Sequence, residues 1–180
     1  MGQTLINYQK FLEDFDCRLK EYFKRDSGFI HCKAGCSACC ETGDYPVSQL
    51  ELEYLMQGFA SLDNTLKREV QKNIKTIQRG GKCPFLIDKK YPLRRQRQMC
   101  IRDSAYRPII CRVHGLAYLC RQNTVKVPYC VNEGKNYSTV YNSGEITINP
   151  IAENLDTPNV LKEFEYGEIR NLFDWVNKYY

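Results

Sequence analysis

The sequence predicts a mainly α fold: a small single domain, residues 1–180, whose terminal helices pack around cysteine-rich metal-binding loops, with at most a minor β-hairpin. Three observations predict it. Apolar residues recur at three- and four-residue steps at both ends of the chain and again between positions 49 and 77. Ten of the 180 residues are cysteine, and four of them fall within nine positions. The stretch between 82 and 131 carries cysteines at wide intervals and too few aliphatic side chains to order itself.

The first helix is expected over residues 4–24. Leu5, Tyr8, Leu12, Phe15, Leu19 and Tyr22 form one apolar stripe, and Asp26-Ser27-Gly28 ends it. Cys17 lies on this helix and reads as a small buried hydrophobe. A loop over 31–46 follows, holding Cys32, Cys36, Cys39 and Cys40. The second helix opens with Ser48 as cap and Glu51 three residues on, a capping box, with Leu52, Leu55, Met56 and Phe59 on its buried side. A third starts near Asp63, with the stripe Leu66, Val70, Ile74 and Ile77, and Gly80-Gly81 stops it. Short extended segments are expected at Pro84 to Ile87 and Thr124 to Val127, and a turn of helix from Pro108 to Leu116. Thr139 to Asn149 reads as a hairpin around Asn142-Ser143-Gly144. The last helix is expected over Asn159 to Lys178, burying Leu161, Phe164, Ile169, Leu172, Phe173 and Val176.

Composition narrows the function classes. The chain is 43% hydrophobic and 26% charged, ordinary for a globular protein. No apolar run approaches the roughly 18 residues of a membrane helix, and Met1 to Lys10 shows no secretory pattern, so the expected setting is the cytoplasm, without membrane contact. In that reducing compartment thiols stay free for metals or catalysis. A disulfide scaffold is the alternative that an even cysteine count suits, but the adjacent Cys39-Cys40 pair does not easily bridge two separate partners. The net charge is +5, and Lys89 to Arg97 carries five positive charges without an acid. One such loop without an aromatic platform reads as a solvated surface, so nucleic acid is disfavoured as a partner while a protein partner stays open.

The chemistry points to a metal. Cys32-x3-Cys36-x2-Cys39 wraps three sulfurs around one point, and Gly35 tolerates the tight backbone turns required. Cys40 is expected to point away from Cys39, toward another partner or a second metal. Cys83, Cys100 and Cys111 complete the shell from across the fold, with Cys120 as an eighth donor; Cys130 lies beyond. Eight thiolates suit two tetrahedral zinc sites, or one [4Fe–4S] cluster with the rest elsewhere. Arg107 and Arg112 bracket Cys111 and are candidates to donate to thiolates or to an orienting carboxylate. His31 and His114 are weaker candidates as ligands.

Three motifs occur in order over residues 32–112: C-x3-C-x2-C-C at Cys32, Cys36, Cys39 and Cys40; Cys83-Pro84-Phe85-Leu86; and Cys100 followed by Arg107-Pro108-Ile109-Ile110-Cys111-Arg112. With them the chain resembles the YkgJ-type cysteine-cluster family, described as zinc- or iron-chelating domains. The chain departs from that pattern between Lys89 and Arg97, where the family has a short glycine-containing connector. The resemblance implies a mainly helical metal-binding domain centred on residues 31–131. It also brings in relatives labelled iron–sulfur oxidoreductases, and flagellin lysine methylases look like distant members. The expected function is therefore a metal-binding protein, holding zinc or an iron–sulfur cluster, with a structural or interaction role. The alternative is an iron–sulfur redox or methyl-transfer enzyme. A radical S-adenosylmethionine barrel fits poorly, since 180 residues are few for it and Ala38 stands where an aromatic residue is common. A thiol redox sensor is a third reading. Too few histidines are present for a serine triad, and no phosphate-binding loop occurs.

Overall fold

The computed structural model describes residues 2–30, 38–41, 44–87, 105–120, 124–126 and 149–179. Among these, seven helices stand beside two small antiparallel ladders, a mainly α architecture. The helices are α1 (Gln3–Arg25), α2 (Ala38–Glu41), α3 (Gln49–Ser61), α4 (Asn64–Thr76), α5 (Ile109–Val113), α6 (Thr157–Val160) and α7 (Leu172–Tyr179). The strands are β1 (Pro46–Ser48), β2 (Tyr118–Leu119), β3 (Val125–Lys126) and β4 (Ile169–Asn171). No helix among the described residues is long and apolar enough to cross a membrane. The chain forms two compact units, each built from two separated segments. Unit 1 is Met1–Cys32 with Arg112–Glu165, and unit 2 is Lys33–Cys111 with Tyr166–Tyr180.

In unit 1, the α1 stripe folds as its spacing dictates. Tyr8, Leu12, Phe15 and Leu19 are buried, and Phe164 packs edge-on against Tyr8 with ring centroids 5.7 Å apart. Cys17 is exposed, contrary to the expected buried hydrophobe. It sits two residues from both Phe15 and Leu19, about 200° around the helix from each, on the face opposite the stripe. β2 and β3 pair through Tyr118↔Lys126 and Leu119↔Val125, which realises part of the extended segment expected at Thr124 to Val127. The hairpin expected between Thr139 and Asn149 lies outside the described residues, apart from Asn149.

In unit 2, the capping box forms as the sequence predicts: Glu51 N–H donates to Ser48 Oγ, and Ser48 N–H donates to the Glu51 carboxylate. Asp63 caps α4 through the N–H groups of Thr65 and Leu66. That helix ends at Thr76, before Gly80 takes up its positive φ. Val47, Leu55, Val70, Ile74, Phe85, Leu172, Trp175 and Val176 form one core, and the Trp175 indole N–H donates to Val47 O at 2.7 Å. Cys83 packs against this cluster, its segment turning at Pro84-Phe85 rather than running extended.

The single last helix expected over Asn159 to Lys178 is three elements instead. α6 stops at Val160, β4 follows, and α7 begins at Leu172. Two causes are visible. Gly167 adopts φ of 69°, a conformation that no other residue type visits cheaply. β4 then pairs with β1 in the register Pro46↔Asn171, Val47↔Arg170, Ser48↔Ile169. Leu161, Leu172 and Val176 are buried as the sequence predicts, while Phe164, Ile169 and Phe173 are half-buried.

Candidate metal centre

Parts of three sequence-distant cysteine motifs fall in unit 2. α2, a single helical turn inside the expected loop, carries Cys39 and Cys40. Their Sγ atoms stand 4.0 Å apart, so Cys40 does not point away from Cys39 as expected. Successive side chains on a helix lie about 100° apart, which lets neighbours sit side by side. Cys40 is 8% exposed and Cys39 is half-buried. The backbone N–H of Cys83 donates to Cys40 O at 2.8 Å, joining the second motif to the first across 43 positions. Leu86 N–H closes the turn onto Cys83 O at 3.0 Å. Asn73 on α4 donates its amide to the carbonyls of Pro84 and Leu86, so this turn is pinned from behind.

Cys111 arrives on α5, whose start is fixed by Pro108: Cys111 N–H donates to Pro108 O at 3.0 Å. The residue keeps some exposure while its sulfur is enclosed. Burial pushes the Cys111 thiol well up, and the negative charges of Cys83, Cys39 and Glu51 add to that, against the pull of Arg107. Tyr45 reports the same cluster. Its hydroxyl donates to Cys39 O at 3.0 Å, and burial raises its pKa, helped by the charges of Cys39, Cys111, Cys40 and Cys83. Thiolates crowded at one place in a low-dielectric setting repel one another, and a bound cation reverses that balance.

Two residues that the sequence did not single out for the site carry its geometry. Glu51 is 1% exposed, and both its oxygens are used. One accepts from Ser48 N–H, as in the capping box, and the other accepts from Ile109 N–H at 2.7 Å. The capping signal was legible, but the second bond joins residues 58 apart and leaves no local trace. Gly58 is the other. A Cβ there would lie 2.5 Å from Tyr106 Cγ and 2.8 Å from Tyr106 Cβ. Glycine inside a helix costs about 1 kcal/mol relative to alanine, and here the close approach of Tyr106 explains it.

The remaining candidates are placed as follows. Arg112 is 3% exposed and pairs in unit 1 with Asp16 of α1. Arg107 stays within electrostatic reach of Cys111. His114 is half-buried. Cys120 belongs to unit 1, where burial raises its thiol and the charge of Asp156 adds to that; this carboxylate accepts from Tyr118 Oη and Lys126 Nζ, each at 3.0 Å. Cys32, Cys36, Cys100, Cys130, His31 and the basic stretch 89–97 lie outside the described residues. Among the described residues, no three His, Cys, Asp or Glu side chains form a group able to hold a metal ion. Those residues do supply four cysteines from three motifs in one unit. No protein-family model, curated protein or solved structure matches the chain.

Proposed function

We propose that unit 2 is a thiolate-held metal module, with a structural or interaction role, and that Cys39, Cys40, Cys83 and Cys111 supply donors together with Cys36 and Cys100 of the same unit. The observation that carries this reading is the hydrogen bond from Cys83 N–H to Cys40 O, which places two cysteine motifs side by side. The mutual electrostatic influence of Cys39, Cys83 and Cys111 supports it from a third direction. The donor set fits: soft thiolates suit zinc and iron alike. Two thiolates on one tetrahedral zinc stand about 3.8 Å apart, given Zn–S bonds of about 2.3 Å. The Sγ atoms of Cys39 and Cys40, at 4.0 Å, are spaced for a single shared ion, which favours zinc over a cluster whose thiolates each take a different iron. The metal would supply cross-linking, and its binding energy would count as folding energy. Cys120, in unit 1, is left outside this donor set. The resemblance to the YkgJ-type family rests on the motifs alone, and a cytoplasmic setting accords with the free thiols this reading needs.

The test is elemental analysis with a visible spectrum, on protein purified without oxygen. Near-stoichiometric zinc in a colourless sample is expected. A brown, iron-containing sample would move the reading to an iron–sulfur centre and reopen the redox or methyl-transfer alternative. A metal-free protein with full helicity rejects both.

A further inference from the structure

We infer that one face of α3, formed by Glu51, Tyr54 and Gly58, is a purpose-built seat for the segment Tyr106 to Cys111, and that it sets where the Cys111 thiol stands. Glu51, Tyr54 and Gly58 follow one another at helical spacing, so they share a side of α3. Each meets the same segment. The Tyr106 ring lies against Tyr54 with centroids 4.9 Å apart. The absent side chain of Gly58 gives Tyr106 its room, and because Tyr106 Cβ itself would clash with an added methyl, the obstruction reaches the near end of that side chain. The Glu51 carboxylate then takes Ile109 N–H, the first donor of α5. Helix-start N–H groups have no intrahelical partner, and a negative charge there is favourable. Tyr106 and Ile109 are thus held on either side of Arg107-Pro108, leaving Cys111 two residues further on.

The positioning residues are Glu51 and Gly58. Their importance to metal binding rests on the function proposed above, whereas the seat itself does not. The variants are chosen to separate seating from helix stability. Gly58→Ala raises helix propensity, so a purely local effect would stabilise α3. Glu51→Gln keeps an oxygen for the Ser48 cap and turns an amide N–H₂ toward Ile109 N–H. Ser48→Ala weakens the cap but leaves both carboxylate bonds of Glu51 in place, and serves as the control.

Two measurements on the full chain decide it. In metal-free, reduced protein, alkylation of Cys111 by iodoacetamide, followed by peptide mass spectrometry, should be about tenfold faster or more in Gly58→Ala and Glu51→Gln, and near wild type in Ser48→Ala, because the enclosed sulfur opens only when its seat is lost. In a cobalt(II) titration, the same two variants should bind about tenfold more weakly or worse, the scale on which supporting residues act on a metal site. The Ser48→Ala variant should hold cobalt as the wild type does. If Gly58→Ala fails to fold, Glu51→Gln decides alone. Wild-type rates of Cys111 alkylation in both variants would overturn the seat. A wild type that takes up no cobalt rejects the metal reading, and the alkylation comparison still judges the seat.

Discussion

Cys111 in unit 2 and Cys120 in unit 1 are the same residue type nine positions apart, and their surroundings assign them different chemistry. Around Cys111 stand other thiols, a carboxylate already committed to two backbone N–H groups, and an enclosing core. Around Cys120 stand Asp156, Lys126 and Tyr118, a polar network near the surface. Burial raises both thiols, and for Cys120 the charge of the Asp156 carboxylate adds to the effect. A cation would relieve the first site by cancelling like charges. The second already has a cation, since Lys126 Nζ lies 3.0 Å from Asp156 Oδ1. Under the proposed reading, what surrounds each sulfur, and not the cysteine count, decides which of them serve as ligands.

The comparison breaks most sharply by mutation of single cysteines. Cys83→Ser should reduce bound metal from near-stoichiometric to background, read by elemental analysis, while Cys120→Ser should leave metal content unchanged. Equal losses would place both sulfurs in one shell. Trp175→Ala should destabilise the protein by about 3–5 kcal/mol in urea unfolding, since it removes a 1% exposed side chain and the bond to Val47 O from the core against which Cys83 packs. Its metal site should weaken in parallel. Ser48→Ala should cost about 1 kcal/mol through the lost cap, with metal content kept.

The smallest effect belongs to Asp156. Burial opposes its charge, but Lys126, Tyr118 and Cys120 outweigh that and hold its carboxyl below the ordinary value. A carboxyl depressed in the folded state adds stability above its unfolded pKa, and that contribution fades as pH falls through the folded value. Asp156→Asn should therefore cost up to about 1 kcal/mol at neutral pH, the scale of partly exposed ion pairs. The difference from wild type should vanish in acid below the carboxylate range, and metal content should not change. On the same network, burial pushes the Tyr118 hydroxyl up to about 12, against the pull of Lys126, so it remains a donor to Asp156 throughout this range.

What could be read from the sequence was local. The α1 stripe, the Ser48–Glu51 capping box, the helix start near Asp63 and the turn of helix after Pro108 all follow from spacing within a few residues, and all are present. What escaped depends on partners far along the chain. The pattern from Leu161 to Val176 fits one helix, yet Ile169 to Asn171 pair with Pro46 to Ser48 and Gly167 breaks the backbone before them. Cys17 misled because cysteine is usually buried, whereas its angle on α1 faces it outward. For the site, the motifs named Cys39, Cys40, Cys83 and Cys111; all four fall in unit 2, and among the described residues no three side chains form a metal-holding group. The role of Glu51 in holding Ile109 and of Gly58 in admitting Tyr106 is invisible until the segments are folded together.

X-ray absorption at the edge of the bound metal tests the central claim most directly, because it counts the sulfur atoms around the ion. A shell of sulfur at about 2.3 Å is expected, as four thiolates on zinc require. A shell of nitrogen and oxygen would contradict it.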